Sequence, residues 1–237
     1  MPDDPDVQFD AQVAGIAALD EPVRRALYRY VVAQPDPVSR DEAAAAVGVP
    51  RHVAKFHLDK LAGQGLLEVE FRRPPERQRG GPGAGRPAKR YRRARRELRV
   101  SLPERRYDLV GEVLAEAMIA AKRDGVALEA ALDQAAAGMG RALADQVISA
   151  GRERADPLDA ARSVLAAYGY EPRLSADGGL TLANCPFHHL ARRYTELVCG
   201  INLALVNALL AALGAEPGLE ARLDPAPGRC CVTIRPA

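Results

Sequence analysis

The chain has 237 residues, of which 48% are hydrophobic and 27% charged, and its formal net charge is +2. This is an ordinary composition for a water-soluble globular protein, and the length allows two small domains with separate cores. No run reaches the roughly 20 consecutive apolar residues that a membrane span requires, and the acidic start is unlike a signal peptide. We therefore expect a cytoplasmic protein with no membrane partner.

The start of the chain predicts two helices. Residues 1–9 are rich in Asp and Pro and are expected to form a disordered lead-in. A first helix is predicted over residues 10–19. Asp20 is then expected to cap a second helix, which has Pro22 in its first turn and ends before Pro35.

The next segment has the pattern of two helices joined by a short turn and followed by a strand. Ser39 is predicted to cap an alanine-rich helix, and the turn at residues 48–50 leads into a fourth helix over residues 51–64. The apolar positions of this fourth helix are Val53, Phe56, Leu58 and Leu61. Residues 65–71 then turn into a strand.

A basic, glycine-rich segment follows. Residues 72–99 contain twelve basic and two acidic residues, a local charge of +10 that leaves −8 for the rest of the chain. Residues 72–87 resemble the flexible tip of a hairpin, and residues 88–93 its return strand. A basic segment on an otherwise acidic chain is the expected footprint of a surface that binds DNA phosphates.

Together these elements predict a winged helix-turn-helix over residues 10–100, whose second helix enters the major groove of double-stranded DNA. The candidate DNA-binding residues on the helices are the cap Ser39, then Arg51, His52 and Lys55 near base edges, and His57 and Lys60 near the backbone. The candidates in the wing are Arg79 and Arg86 for the minor groove, and Lys89, Arg90, Arg92 and Arg93 for phosphates. A solvated charged face is the alternative, which the combination with a basic wing disfavours.

A long central helix is predicted over residues 103–124. Its apolar stripe, which includes Val113 and Leu114, is wide enough for a partner helix as well as for its own core. A second helix covers residues 128–149. We therefore assign residues 101–150 to a helical linker and dimerisation region.

Residues 151–237 are expected to form a small sensor domain. Its predicted elements are a helix (156–168), a hairpin (172–174 and 180–183), an apolar helix (188–213) and a second hairpin (220–223 and 229–234). The fold class of the whole chain is thus α+β, with the winged helix first, the central long helix next and a sensor with two hairpins last.

All four cysteines lie in this last region. Cys185 follows a strand, Cys199 lies within the apolar helix, and Cys230 and Cys231 lie on the final strand. The spacing is not the compact pair of a zinc ribbon or a ferredoxin, but thiolates from three segments of a small domain can converge on a soft metal centre. Cys230 shares a strand face with apolar residues, so Cys231 is our choice for the third ligand.

Other readings of the cysteines stay open. His188 and His189 are possible extra ligands, because they follow Cys185 closely in sequence. The thiols can also be inert core residues, since free cysteine is often buried. A thiol-dependent enzyme with Cys185 as nucleophile and a histidine base is a distant alternative, because no acid, oxyanion donor or phosphate loop accompanies the pair. We expect no enzyme activity.

Three segments carry a resemblance to a known family: residues 39–61, the turn Gly65-Leu66-Leu67, and the wing sequence Gly85-Arg86-Pro87-Ala88-Lys89-Arg90-Tyr91. Together they resemble the ArsR-type winged-helix regulators, and in particular the branch of SufR-type repressors of iron–sulfur cluster assembly. The resemblance extends over nearly the whole chain. It implies a homodimer that binds a palindromic operator and a sensor that holds an iron–sulfur cluster of the 4Fe–4S type, with zinc or an organic effector as the alternative.

Overall fold

Two separate hydrophobic cores organise the chain, one in an amino-terminal unit (Met1–Val100) and one in a carboxy-terminal unit (Ser101–Ala237). The structure is a computed structural model that describes residues 5–72, 87–149, 156–215 and 217–237. Helices combine with two small antiparallel sheets, as an α+β chain requires. The predicted wing-tip residues Arg79 and Arg86 lie outside the described residues.

The amino-terminal unit combines four helices with a three-stranded sheet. Its elements are α1 (Pro5–Ala17), α2 (Pro22–Val32), β1 (Val38–Ser39), α3 (Arg40–Val47), α4 (Arg51–Gly63), β2 (Leu67–Arg72) and β3 (Ala88–Arg93). The strand order is β1-β3-β2, and Tyr91 of β3 lies opposite Val38 on one side and Val69 on the other. This arrangement of α3, α4 and a following hairpin is the winged helix-turn-helix that the sequence predicts.

The helix start signals explain most of these boundaries. Ser39 caps α3 as predicted, because its Oγ accepts the amide N–H of Glu42 at 3.2 Å while Oε2 of Glu42 accepts the N–H of Ser39 at 2.6 Å. The cap of α2 is Glu21 and not the predicted Asp20, since the Glu21 carboxylate accepts the amide hydrogens of Val23 and Arg24.

The lead-in predicted for residues 1–9 is wrong from Pro5 onward. Helix α1 begins at Pro5, where a proline fits the first turn because no intrahelical bond is required of its nitrogen. Three apolar side chains of α1, Phe9, Val13 and Ile16, are exposed at spacings of four and three residues. They therefore form one apolar row on this helix.

The carboxy-terminal unit has five helices and a four-stranded sheet among its described residues. The elements are α5 (Tyr107–Asp124), α6 (Leu128–Ser149), α7 (Pro157–Ala167), β4 (Pro172–Leu174), β5 (Leu180–Leu182), α8 (His188–Arg193), α9 (Thr195–Ala212), β6 (Leu219–Leu223) and β7 (Val232–Pro236). The two predicted hairpins join into one sheet of order β4-β5-β7-β6, because β5 pairs with β7.

Helix α9 is the centre of this unit. It is long and apolar enough to cross a membrane by length and composition, but eight of its residues are buried against the rest of the unit. It packs most extensively against α6. A Cβ at Gly140 of α6 would collide with the backbone oxygen of Leu205 and the nitrogen of Leu209, so the two backbones approach closely only because residue 140 is glycine.

The structure differs from the sequence prediction at three places in this unit. The region 101–150 is not a separate linker, because α5 and α6 contribute to the same core as α9. The predicted helix over 188–213 is divided at Tyr194, whose backbone leaves the helical conformation (φ −132°, ψ 57°). The final strand begins at Val232, so the two adjacent cysteines precede it.

Candidate nucleic-acid interface and thiol cluster

Helix α4 has one buried and one exposed side. Ala54, Leu58 and Leu61 are fully buried in the amino-terminal core. The exposed side carries four cationic or titratable side chains and one phenyl ring: Arg51, His52, Lys55, Phe56 and Lys60. Phe56 is 65% exposed, which corrects its place among the apolar core positions of this helix. It lies off the row formed by residues 54, 58 and 61, and a helical-wheel count would have shown this.

The predicted DNA-binding residues of α4 differ in their partners. Arg51 forms an ion pair with Asp41 of α3, and Nζ of Lys55 lies 3.5 Å from Oδ2 of Asp59. His52 and Lys60 have no side-chain partner in the part of the chain that the structure describes. These two side chains are therefore available to a ligand without loss of an internal contact.

His57 is placed differently from its prediction. Its side chain is 13% exposed, and Nδ1 lies 3.5 Å from Oε2 of Glu21, the residue that caps α2. Its ring also meets Phe56 edge-on, with centroids 5.2 Å apart. His57 thus contacts the amino-terminal unit itself and is not a surface residue poised for the DNA backbone.

Asp59 of α4 holds the return strand of the wing. Its Oδ1 accepts a hydrogen bond of 2.7 Å from the Tyr91 hydroxyl and an ion-pair contact from Nζ of Lys89. Burial opposes ionisation of Asp59, but the hydrogen bonds from Lys89 and Tyr91 outweigh it and lower the pKa of Asp59. Burial and the same hydrogen bond raise the pKa of Tyr91. Lys89 is therefore engaged within the protein, which the sequence did not predict.

The remaining wing candidates are mixed. Arg90 donates to the carbonyl of Pro37 at 2.8 Å and lies 3.5 Å from Glu42, while Arg92 donates to Glu68 at 2.7 Å. Arg93 is exposed and has no recorded side-chain partner in the described ranges. Ser39, also predicted to contact DNA, uses its hydroxyl in the cap of α3.

The second candidate site is a cluster of all four thiols in the carboxy-terminal unit, the thiol cluster. Cys185 and Cys231 both interact with Cys230, and Cys199 interacts with Cys231. The thiols of Cys185 and Cys231 donate to Cys230 and lower its pKa, whereas hydrogen bonding to Cys230 and burial raise the pKa of both donors. The predicted convergence of three distant segments therefore occurs.

A buried polar chain leads to this cluster. The hydroxyl of Tyr170 donates to Oδ1 of Asn202 at 2.6 Å, and Nδ2 of Asn202 donates to Sγ of Cys230 at 3.2 Å. All three residues are fully or nearly fully buried. Asn202 was missed at the sequence level, although a lone polar residue in the apolar stripe of a helix is a recognisable signal.

Two predictions about the cysteines need correction. Cys231 was chosen over Cys230 from its strand face, but both precede β7, and Thr233 is itself only 1% exposed. His188 and His189 are exposed on α8, and in the described chain no hydrogen bond joins either imidazole to a thiol. The Cys–His pair required by a thiol-dependent enzyme is therefore not formed there.

The thiol cluster is not a preformed metal site. Within the described residues, no three side chains of His, Cys, Asp or Glu are arranged to hold a metal ion. The chemistry of the donors nevertheless suits a soft metal, because four thiols lie together and an amide N–H already donates to one sulfur. The residue types thus suit a soft metal, but the described positions of the thiols do not form a metal site.

Comparison with known proteins bears on the first site. Residues 19–70 match the family model described as a helix-turn-helix domain, which covers α2 to β2. This match supports a DNA-binding transcriptional regulator, a class that is generally non-enzymatic. Comparisons with curated proteins and with solved structures found no significant match.

Proposed function

We propose that this helix-turn-helix regulator is a cytoplasmic, homodimeric repressor that places α4 of each protomer in the major groove of a palindromic operator. The observation that carries the proposal is the exposed side of α4, where His52 and Lys60 have no partner among the described residues and lie in a segment that matches a helix-turn-helix domain. Side chains near the amino end of such a helix reach base edges. The SufR-like wing sequence supports the repressor role.

The test begins with selection of duplexes from a random pool by the wild-type protein, followed by affinity measurements on the selected and on random DNA. His52→Ala is expected to weaken binding to the selected operator by about 1–3 kcal/mol and to leave random-sequence binding nearly intact. Lys122→Ala, an exposed cation of α5, is the matched control. Equal decreases in affinity for the selected operator and for random DNA would show that His52 contacts the DNA backbone and not a base. Transcription in vitro from a promoter with this operator distinguishes repression from activation.

The homodimer needs a surface that the core does not use. In the stripe predicted for α5, Val113 is fully buried within its own unit and Leu114 is half-buried, while Met118 and Ile119 of this helix are exposed. The apolar row of α1, Phe9, Val13 and Ile16, remains exposed in the unit that binds DNA. The two half-sites of a palindromic operator require two copies of the DNA-binding unit. Packing of this row against a second copy removes its apolar surface from water.

Sedimentation tests the dimer directly. The double variant Val13→Lys with Ile16→Lys is expected to be monomeric and to bind the selected operator weakly. Met118→Lys, which changes an exposed apolar residue of α5, is the control and is expected to remain dimeric. A monomer from Met118→Lys alone would transfer the interface to α5.

For the thiol cluster we propose a metal centre, an iron–sulfur cluster of the 4Fe–4S type or alternatively zinc, held by Cys185, Cys199 and one of Cys230 and Cys231. Such a centre would join three segments of the carboxy-terminal unit: the loop that precedes α8, helix α9 itself, and the segment that precedes β7. This connection would respond to the redox state or to the metal supply. Binding of the centre would favour one dimer geometry and so shift operator affinity. The support is the contact among the thiols and the soft-ligand chemistry of thiolates.

Metal analysis is the test. Protein purified without oxygen is analysed for iron, sulfide and zinc, and Cys185→Ser and Cys199→Ser are each expected to abolish bound metal. Cys230→Ser is also expected to abolish bound metal, because Cys230 accepts the hydrogen bond from Asn202. Cys231→Ser is expected to retain the metal. Wild-type protein without stoichiometric metal would contradict the proposal and leave an organic effector as the alternative.

A further inference from the structure

The exposed side of α4 contains one large apolar side chain. Phe56 is 65% exposed and lies four residues after His52 and four before Lys60. Residues at this spacing form one row along a helix. The phenyl ring is therefore at the middle of a row whose two ends are the titratable His52 and the cationic Lys60.

Packing among the described residues of the amino-terminal unit does not explain this phenylalanine. The buried side of α4 is complete with Ala54, Leu58 and Leu61. The recorded ring contact of Phe56 is an edge-on approach to His57. Single exposed apolar residues are common on protein surfaces, but this ring lies in a row of otherwise polar residues within the segment that matches a helix-turn-helix domain, and this position points to a partner that covers it.

The charges of this side of the helix favour DNA as that partner. Lys55 and Lys60 are neighbours of Phe56 along this helix, and the carboxylate of Asp59 is paired with Lys55, Lys89 and Tyr91. Binding of an apolar protein partner would remove water from these cations without providing an opposite charge. In the major groove of DNA, phosphates lie close enough to neutralise them. A phenyl ring neither donates nor accepts a conventional hydrogen bond, and the apolar group that base edges present in the major groove is the C5-methyl of thymine.

We propose that Phe56 reads a thymine in the operator by apolar contact with its C5-methyl group. This inference rests on the proposed DNA-binding function and adds a base preference at one position of each half-site. His52 then contacts a base edge on one side of that base pair and Lys60 a phosphate on the other, while Phe56 contacts the thymine itself.

The test replaces single thymines of the selected operator by deoxyuridine, which lacks only the methyl group and keeps all hydrogen-bonding groups. For wild-type protein, one such replacement per half-site is expected to lower affinity about fourfold, the effect of losing burial of one methyl-sized group. Phe56→Ala is expected to bind the thymine and deoxyuridine operators equally, and Phe56→Leu to retain part of the preference.

Phe71→Ala, at an equally exposed phenylalanine on β2, is the matched control and is expected to keep the wild-type preference for thymine. Circular dichroism checks that each variant is folded. The inference is wrong if wild-type protein binds every deoxyuridine operator as tightly as the thymine operator, or if Phe56→Ala keeps the preference. Failure of wild-type protein to select any sequence would instead overturn the DNA-binding proposal itself, and this inference with it.

Discussion

The hydroxyl of Tyr91 donates a hydrogen bond of 2.7 Å to Oδ1 of Asp59, and this joins the return strand β3 to helix α4. Lys89, two residues earlier on the same strand, pairs with the same carboxylate. One side chain of α4 thus fixes the strand that carries most of the described wing cations. The geometry of the wing relative to α4 depends on the ionised form of Asp59.

Asp59→Asn is expected to destabilise the amino-terminal unit by about 1 kcal/mol, because charge-assisted hydrogen bonds are lost at a site that solvent partly screens. Denaturant unfolding followed by circular dichroism measures this change. Asp41→Asn removes a more exposed carboxylate paired with Arg51 and is expected to cost only a few tenths of a kcal/mol. Similar decreases in unfolding free energy for the two variants would show that the contacts of Asp59 with the wing stabilise the unit no more than an exposed ion pair does.

The same carboxylate gives a pH dependence. The pKa of Asp59 is lower in the folded protein than in the unfolded chain, so its contribution is complete at neutral pH and is lost as the pH falls below roughly 4. Unfolding midpoints measured between pH 7 and acid should fall less steeply in Asp59→Asn than in wild type. Parallel curves for the two proteins would show that this group does not contribute.

Two exposed cations without recorded partners in the described chain, Lys60 and Arg93, are expected to contact phosphates. Each change to Ala should reduce the slope of log K against log salt by about 0.9 and should weaken binding to every duplex alike. Fluorescence anisotropy over a salt series on random DNA gives the slope. An unchanged slope would remove that residue from the interface.

Close approach of α6 and α9 gives a stability prediction. Gly140→Ala is expected to destabilise the carboxy-terminal unit by about 1–3 kcal/mol, the usual cost of overpacking, because the added methyl meets the backbone of α9. Gly138→Ala lies on the same helix where the nearest atom is 3.9 Å away, and is expected to be neutral or stabilising. Thermal unfolding of both variants provides the comparison, and equal behaviour would argue against the tight crossing.

The polar chain to the thiol cluster can be tested with a matched pair of tyrosines. Tyr170→Phe leaves Oδ1 of buried Asn202 without its donor and is expected to cost about 1–3 kcal/mol. Tyr168→Phe removes a hydrogen bond of similar length to Gln146 at the surface, and is expected to cost less than about 0.5 kcal/mol. Unfolding free energies that do not differ would mean that the buried chain is not maintained in solution.

Local signals predicted the helices well. The serine cap with glutamate three residues later predicts the start of α3, and α6 has the bounds expected from its pattern, Leu128–Ser149. The start of α3 and the bounds of α6 are both determined by residues close in sequence, and so a local pattern can predict them. The orientation of Phe56 was also available from helical spacing, although apolar character alone placed it in the core.

Relationships between distant residues were not accessible from the sequence in the same way. The pairing of β5 with β7 joins the two predicted hairpins across about fifty residues, and no local pattern encodes it. The ion pair of Lys89 with Asp59 spans 30 residues and turns an expected phosphate contact into an internal one. The contacts among the thiols likewise needed the fold, since cysteine spacing alone left the third ligand undecided.

The paired cations of the amino-terminal unit make DNA binding an exchange reaction. Three of these cations are paired with carboxylates: Arg51, Lys89 and Arg92. Each must break its ion pair before it can bind a phosphate, so the lost ion pair offsets part of the attraction to DNA. On random duplex only cations without a partner among the described residues, such as Lys60 and Arg93, add an attraction that is not offset, while the right sequence adds base contacts to it. From this balance we expect weak binding to random sequence and fast dissociation from it, although the chain is rich in arginine.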